Sequence, residues 1–342
     1  MKARALWFSA PRTATLREEV VPPPGPDEVR IKTLASALSA GSEMLVYRGE
    51  VPQDLPLDLP TLRGGYGFPI KYGYAAVGRV LDTGPGVEHL SAGDAVFVHH
   101  PHQEVLVVPA TMPVRLPDNL DPLLGVFVAN LETALNIVHD TPLRLGETAL
   151  VFGGGVVGLL VSQLLSLAGA GAVLLVDPLE RRRKLAFAAG VDDALGPEDL
   201  NEGVLGSTCG RGADVAVEAS GSGAALQAAI EAVATEGTVV VASWYGTKPV
   251  ALDLGGHFHR GRVRLRSSQV GRLNPELTPR WDRGRRTDTV LGLLGRLDLE
   301  ILITHRLPFE MAPEAYPLLD ERPGEAGQVV FTYEESRGGQ DV

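Results

Sequence analysis

The chain has 342 residues, which is enough for two domains, and its 44% apolar and 21% charged residues match an ordinary globular protein. Its single cysteine excludes a disulfide framework and a four-cysteine zinc site. The net charge of −11 disfavours binding to nucleic acid or to anionic lipid. The sequence has no secretory apolar segment and no uncharged membrane span, so we expect a cytoplasmic protein.

Short strands broken by turns are predicted in the first part of the chain. Segments 30–34, 76–81 and 95–98 have the composition of strands, and glycine- and proline-rich turns separate them. This part is therefore predicted to be rich in β-structure.

From about residue 121 the pattern changes to strands that alternate with helices. Nearly all-apolar strands are predicted at 149–152, 172–176, 213–218 and 238–242, and helical spacing separates them at 159–168, 180–189 and 224–234. Such alternation predicts a parallel sheet that is covered by helices on both faces.

A glycine-rich turn joins the first of these strands to its helix. Gly153 permits the tight turn, Gly155 lets the backbone approach a pyrophosphate, and Gly158 allows close packing of the helix. The helix begins with Val156 and Val157, where its N-terminus favours the charge of a phosphate. The turn therefore predicts a dinucleotide site.

Asp177 ends the second strand, 22 residues after Gly155, where this motif has an acidic group that binds the adenosine ribose. Its carboxylate would repel a 2′-phosphate, so NAD is favoured over NADP. The basic residues 181–184 are interpreted as a solvated helix face, and contact with a phosphate is the alternative.

Five segments together resemble the medium-chain dehydrogenase/reductase family, of the alcohol dehydrogenase type, over nearly the whole chain: Gly73-Tyr74-Ala75-Ala76-Val77-Gly78, Gly93-Asp94-Ala95-Val96, Glu132-Thr133-Ala134-Leu135, the glycine turn, and Val217-Glu218-Ala219-Ser220-Gly221. The resemblance implies an α/β fold: a GroES-like β-barrel catalytic domain and a Rossmann cofactor domain with a doubly wound parallel sheet. We place the first part of the catalytic domain at 1–129, the Rossmann domain at 130–269, and a return segment that completes the catalytic domain at 270–342.

The resemblance also implies where the site lies and which residues contact the cofactor. Its active site is expected in the cleft between the two domains. Cofactor contacts are expected from the glycine turn and Asp177, and also from Thr133, Ser220, Ser243 and Ser268.

The metal ligands of zinc-dependent family members are missing from this sequence. A catalytic zinc needs three thiolate or imidazole ligands, and the corresponding positions here are Ala40, Tyr74 and Ala129. Segments 258–262 and 302–306 further resemble a zinc-lacking branch that includes bacteriochlorophyllide dehydrogenases. We therefore expect no metal. The alternative is a new site built from loop histidines, namely His99, His100 and His102.

Without a metal, hydrogen-bond donors must polarise the carbonyl or stabilise the alkoxide. By resemblance, Ser42 relays the alcohol proton, Tyr74 points toward the space that the metal vacated, and Glu43 has a supporting role. The structural alternatives are that Ser42 caps a helix and that Tyr74 packs in a strand. The other candidate donors are Lys71, Asn130 and Glu132.

These features predict a zinc-independent, NAD(H)-dependent oxidoreductase that interconverts an alcohol and a carbonyl on an unidentified small molecule. Reduction of a quinone or enone, or NAD(H) binding without catalysis, are the alternatives. In this family the outer edge of the Rossmann sheet commonly pairs across a two-fold axis, and segment 263–270 resembles that edge. We therefore expect a homodimer.

Overall fold

The computed structural model describes residues 1–57, 61–62 and 64–334, which divide into two compact units. The first unit comprises Met1–Ala129 together with the described chain from Ile303 onward. The second unit is the continuous segment Asn130–Leu302.

The helices and strands follow one another in chain order. The first stretch forms β1 (Lys2–Ala10), β2 (Thr13–Val20), β3 (Glu28–Leu38), α1 (Ser42–Arg48), β4 (Ala76–Thr83), β5 (Ala95–Val98), β6 (Val105–Pro109), β7 (Val114–Arg115), a 3₁₀ helix (Pro122–Phe127) and α2 (Val128–Asp140). The second unit continues with β8 (Thr148–Phe152), α3 (Val156–Leu167), β9 (Ala172–Val176), α4 (Glu180–Ala188), β10 (Asp193–Leu195), α5 (Leu200–Ser207), β11 (Ala213–Glu218), α6 (Gly223–Ala232), β12 (Val233–Val241), α7 (His257–Arg260), β13 (Arg264–Ser267), α8 (Arg283–Leu294) and a 3₁₀ helix (Glu300–Leu302). The chain then returns to the first unit with β14 (Ile303–Pro308), a 3₁₀ helix (Phe309–Met311), α9 (Ala312–Glu321) and β15 (Gln328–Thr332).

A mixed sheet is the framework of the first unit. In the described chain its path is β14-β15-β3-β4-β5-β7, with β6 also paired to β3, and β1 and β2 form a separate ribbon. The returning strand β15 lies antiparallel to β3, with Val330 opposite Ala37. Alternate residues of β3, among them Val29 and Ile31, are buried, as expected for a strand with one face in a core. The N- and C-terminal parts of the chain therefore build one sheet together.

A parallel sheet is the framework of the second unit. In the described residues its strand order is β10-β9-β8-β11-β12-β13, and each neighbouring pair is parallel. This is the order of a doubly wound dinucleotide-binding fold, in which the chain turns back between the first and fourth strands of the series. The central strand β8 is buried along its whole length. The expected α/β fold with a doubly wound parallel sheet is confirmed.

The second unit runs on to Leu302, instead of ending at residue 269 as the sequence predicts. Helix α8 explains the difference, because its Val290 and Leu294 are fully buried and its Arg286 guanidinium donates to the Glu132 carboxylate at 2.7 Å and to the carbonyl oxygen of Val270. These contacts bind residues 270–302 to the parallel-sheet unit. The helix of this stretch is amphipathic and begins only at Arg283. Its polar first turns, and the irregular polar sequence before it, give no helical pattern.

One helical stretch in the described chain, Pro122–Asp140, is long and apolar enough to span a membrane by length and composition. However, 61% of its apolar window is buried within the protein, as is usual for a core helix.

Candidate functional site

The candidate catalytic residues of the first unit begin at the N-terminus of α1. Gly41 occupies the cap position, so Ser42 is the first helical residue and its hydroxyl does not cap the helix. That hydroxyl lies 2.8 Å from the phenolic oxygen of Tyr74, and 3.5 Å from the hydroxyl of Ser39. The structure therefore brings Ser42 and Tyr74 together as a hydrogen-bonded pair of hydroxyl groups, and both side chains are partly exposed.

Tyr74 lies just before β4, in an environment that keeps its phenol protonated. Burial, and then the negative charge of Glu43, raise the pKa of Tyr74 to about 12, although hydrogen bonds with Ser39 and Ser42 lower it. A phenol with this pKa is a hydrogen-bond donor at neutral pH. Its ring also packs edge-on against Tyr72, with centroids 6.2 Å apart.

Glu43 is fully buried directly behind Ser42. One carboxylate oxygen accepts the backbone N–H of Ser39 at 3.0 Å, and the other accepts the phenol of Tyr316 at 2.9 Å and lies 3.0 Å from Nε2 of His102. A buried carboxylate requires such donors, because its loss of water is costly. The structure places Glu43 next to Ser42 in chain order and in contact with His102 and Tyr316, and its partner Tyr316 is not evident from the sequence.

The three loop histidines contact different partners. Nδ1 of His99 lies 3.2 Å from the carbonyl oxygen of Tyr74, and Nδ1 of His100 lies 2.9 Å from that of Pro101. His102 bonds to Ser36 and Glu43. Across the residues that the structure describes, no three His, Cys, Asp or Glu side chains are grouped to hold a metal ion. With alanines at two ligand positions and a phenol at the third, the residues present do not fit a catalytic zinc.

The other candidate donors lie in different surroundings. The ammonium of Lys71 lies 2.9 Å from the Glu19 carboxylate, so it forms part of an ion pair. The Glu132 carboxylate accepts two hydrogen bonds from Arg286. Asn130 lies near the start of α2 with its side chain almost buried. Lys71 and Glu132 are thus each held by an oppositely charged or polar partner, whereas Ser42 and Tyr74 bond to each other.

In the second unit, the glycine turn between β8 and α3 has the geometry that its spacing predicts. Gly153 has a φ of 106°, and a Cβ on Gly158 would lie 1.9 Å from the carbonyl oxygen of Gly153, so only glycine fits there. A Cβ on Gly155 would meet open space, so the backbone is accessible to a ligand. Val156 and Val157 form the first turn of α3, whose free N–H groups face the same end.

Asp177 is buried beneath this turn. Its carboxylate accepts the N–H of Gly154 at 2.8 Å and that of Leu179 at 2.9 Å, and it lies 3.5 Å from the guanidinium of Arg182. Arg183 donates to the carbonyl oxygen of Asp177. The basic run is thus a solvated face at positions 181 and 184, whereas its two middle arginines turn back toward Asp177.

Ser220 and Ser243 lie together at the carboxyl ends of the adjacent strands β11 and β12. Both are arranged around Glu218, a fully buried residue that the sequence analysis did not select. One Glu218 oxygen accepts the N–H and hydroxyl of Ser220, each at 2.7 Å, and the other accepts the phenol of Tyr245 at 2.8 Å. Ser243 accepts the N–H of Gly221. The signal available in the sequence is the acidic residue that ends strand β11, directly after the apolar run Val215–Val217.

Ser268 belongs to a second polar cluster of this unit. The Ser268 hydroxyl donates to Asp140 at 2.8 Å, and Arg266 forms an ion pair with the same carboxylate at 2.8 Å. Thr133 lies on α2, the helix that also carries Asp140. The Ser268 side chain is therefore held against α2, and its backbone N–H donates to the carbonyl oxygen of Val241 in β12.

The sequence is similar to those of known dehydrogenases. A family model described as "Zinc-binding dehydrogenase" matches residues 156–283. The chain is 30% identical to D-guloside 3-dehydrogenase from Escherichia coli strain K12, over 96% of this chain and 100% of that one. It is also 30% identical to L-threonine 3-dehydrogenase from Pyrococcus furiosus, over 93% of this chain and 94% of that one.

Three solved structures share the fold at lower sequence identity. The structure of 2R,3R-butanediol dehydrogenase from Bacillus subtilis has a TM-score of 0.80 at 21% identity, covering 96% of this chain and 99% of that chain. A short chain alcohol dehydrogenase from Escherichia coli CFT073, in complex with NADH, has a TM-score of 0.78 at 20% identity, with coverage of 97% and 99%. A protein from Sinorhizobium meliloti described as a zinc-binding dehydrogenase, bound to NADP, has a TM-score of 0.79 at 22% identity, with coverage of 97% and 99%.

The two relatives at 30% identity align over nearly their whole length, and the parallel sheet, the glycine turn and the returning C-terminal strands accompany that similarity. The chain belongs to the medium-chain dehydrogenase/reductase family.

Proposed function

We propose that this protein is a zinc-independent oxidoreductase that uses NAD(H) to interconvert an alcohol and a carbonyl group on a small molecule. The observation that carries the proposal is the 2.8 Å contact between the hydroxyls of Ser42 and Tyr74, at the segments where zinc-dependent relatives have metal ligands. The names of the relatives support the reaction class, because guloside, threonine and butanediol dehydrogenases all act on CH–OH groups.

The cofactor residues proposed for this chain lie in the second unit. They are Gly153, Gly155, Val156, Val157 and Gly158 around the pyrophosphate, Asp177 at the adenosine ribose, and Thr133, Ser220, Ser243 and Ser268 toward the rest of the cofactor. The open space beside Gly155 and the N-terminus of α3 support this assignment. When bound, NAD(H) supplies or accepts the hydride.

The proposed catalytic residues supply the proton and stabilise charge on the substrate oxygen. In the direction of reduction, the carbonyl carbon gains the hydride and its oxygen becomes negative. Tyr74 donates a hydrogen bond and then a proton to that oxygen, and Ser42 donates its proton to the phenolate through their shared hydrogen bond. Ser42 takes a proton from solvent water, which reaches the pair because both residues are partly exposed. In the direction of oxidation the same pair accepts the alcohol proton. Burial, and then the negative charge of Glu43, raise the pKa of Tyr74, so the phenol is protonated between turnovers.

A turnover screen tests the proposed function. The purified protein is incubated with NADH or NADPH and a panel of ketones, keto-sugars, quinones and enones, and with the oxidised cofactors and a panel of alcohols, glycosides and hydroxy amino acids. We expect turnover of an alcohol–carbonyl pair. Turnover of quinones or enones alone would replace the proposal with the reductase alternative. Tight cofactor binding without turnover would indicate a non-catalytic NAD(H)-binding protein.

The purified protein is expected to hold no stoichiometric zinc, because Ala40, Tyr74 and Ala129 supply no thiolate or imidazole. Elemental analysis after dialysis measures this, with a zinc-dependent family member carried through the same purification as the control. About one zinc per chain would contradict the expectation.

NADH is expected to bind at least about tenfold more tightly than NADPH, which corresponds to about 1.4 kcal/mol, because Asp177 would repel a 2′-phosphate. Calorimetry with both cofactors measures the two dissociation constants. Asp177→Ser should reduce the ratio of the NADPH and NADH dissociation constants. Lys184→Ala is the control: Lys184 is exposed at the end of the basic run 181–184, and its removal should leave the ratio unchanged. Equal constants, or tighter NADPH binding, would show that Arg182 and its neighbours determine cofactor choice.

Ser42→Ala and Tyr74→Phe are each expected to lower the turnover rate about tenfold or more, since removing one donor to a transition-state oxyanion is costly. The dissociation constant of NADH should stay the same, because neither residue belongs to the glycine turn. Tyr47→Phe is the matched control, because it also removes a phenolic hydroxyl from the first unit, and that hydroxyl donates to the carbonyl oxygen of Arg12 instead of to Ser42.

If both variants keep full turnover at unchanged cofactor affinity, this assignment of the donors is wrong. The proton donor must then be sought among Glu43, Lys71, Asn130 and Glu132. Unfolding temperatures of all three variants separate a loss of chemistry from a loss of folded protein.

The protein is expected to be a homodimer. Strand β13 is one of the two edge strands of the parallel sheet in the described chain, and its Leu265 is 37% exposed. Pairing two such edges across a two-fold axis would satisfy their backbone groups. Light scattering at micromolar concentration should give twice the chain mass of 36.3 kDa, and a value near one chain mass would contradict the expectation.

A further inference from the structure

A buried polar network in the first unit lies behind the Ser42–Tyr74 pair. At its centre is His102, which lies in the loop that joins β5 to β6 and is fully buried. Its Nε2 lies 3.0 Å from a carboxylate oxygen of Glu43, and its Nδ1 lies 2.7 Å from the hydroxyl of Ser36, which in turn lies 2.7 Å from the phenol of Tyr333. If Nε2–H donates to Glu43, Nδ1 accepts from Ser36 and Ser36 accepts from Tyr333, so each group is satisfied.

The same imidazole also contacts the backbone beside Tyr74. A Cβ on Gly73 would lie 3.1 Å from both Cδ2 and Nε2 of His102, and Gly73 has a φ of 143°. The ring therefore packs directly against Gly73, the residue that precedes Tyr74. A side chain at position 73 would crowd the ring. On its other side, the ring of Phe331 packs edge-on at 5.1 Å.

These contacts join two segments that are distant in sequence. Glu43 follows Ser42 at the start of α1, and Gly73 precedes Tyr74 near β4, so His102 touches the neighbour of each hydroxyl residue. The separation of the two hydroxyls depends on how α1 lies relative to residues 73–74. An error of about 1 Å in such a constellation can cost a large factor in rate.

We propose that the buried Glu43–His102 pair is a positioning device that sets the Ser42–Tyr74 hydrogen bond, and that His102 is a positioning residue of this site. The proposal rests on the proposed function for its catalytic consequence, but its structural claim is independent of any substrate. His102 itself does not contact the reacting atoms.

The structural claim is tested by NMR with tyrosines labelled at Cζ. The chain has 7 tyrosines, and Tyr74→Phe assigns the signal of Tyr74. His102→Phe keeps a ring against Gly73 but removes both ring nitrogens. The Cζ signal of Tyr74 in this variant should shift toward the chemical shift that the same signal has in the Ser42→Ala variant. The matched control is His100→Phe, in the same loop, whose imidazole bonds to the carbonyl oxygen of Pro101. It should leave the signal in place.

The catalytic claim is tested by a double-mutant cycle with whichever substrate pair the turnover screen yields. His102→Phe should lower kcat about tenfold with NADH affinity unchanged, and it should add no further loss in the Tyr74→Phe background. Additive losses would overturn the proposal, since a general weakening of the fold acts regardless of Tyr74. If the screen yields no turnover, the proposed function fails while the NMR experiment still decides the positioning claim.

A second variant, Glu43→Gln, tests the same proposal if the His102→Phe protein does not fold. Glu43→Gln keeps the size of the side chain and its ability to accept hydrogen bonds, and it should also move the Tyr74 signal. An unmoved Tyr74 signal in a folded His102→Phe or Glu43→Gln protein overturns the proposal. If circular dichroism shows that both variants are unfolded, the pair is required for the fold itself, and the positioning role is likewise rejected.

Discussion

A carboxylate that is removed from water must receive hydrogen bonds from the protein, and this requirement organises the first unit around Glu43. Its donors come from well-separated parts of the chain: the N–H of Ser39, the phenol of Tyr316 on α9, and the imidazole of His102. An unmatched charge at such a site costs several kcal/mol. The position of α1, and with it that of Ser42, is therefore fixed by contacts from the middle and the end of the chain.

The second unit uses the same device at the ends of its strands. Asp177 is buried at the end of β9 and binds the N–H of Gly154, so the glycine turn is fastened to the neighbouring strand. Glu218 is buried at the end of β11 and binds the N–H groups of Ser220 and Gly221. In both cases an acidic side chain accepts hydrogen bonds from the backbone N–H groups of a loop that faces the proposed cofactor site. These bonds hold the loop in place before a ligand binds.

Local sequence pattern accounts for most of the fold and for only part of the site. The apolar strands around Val151 and the glycine turn at Gly153 are recognisable because their signals lie within a few residues. The extent of the second unit is not evident from the sequence, because α8 is polar at its start and its attachment depends on Arg286, whose partner Glu132 lies far away in sequence. For the same reason the Glu43–His102 contact is not evident from the sequence, since no spacing rule relates a helix residue and a loop residue that meet only in the folded protein.

The return of the chain to the first unit has a consequence for synthesis on the ribosome. Strand β15 lies between β14 and β3, and Tyr316 and Phe331 reach the core of that unit from the last described part of the chain. The continuous parallel-sheet unit can thus fold as it emerges, whereas the N-terminal strands wait for residues that are translated after that unit. Until then the nascent polypeptide leaves residues 35–38 of β3 without the partner strand β15, and such an unpaired edge can bind chaperones or pair wrongly with a neighbouring copy.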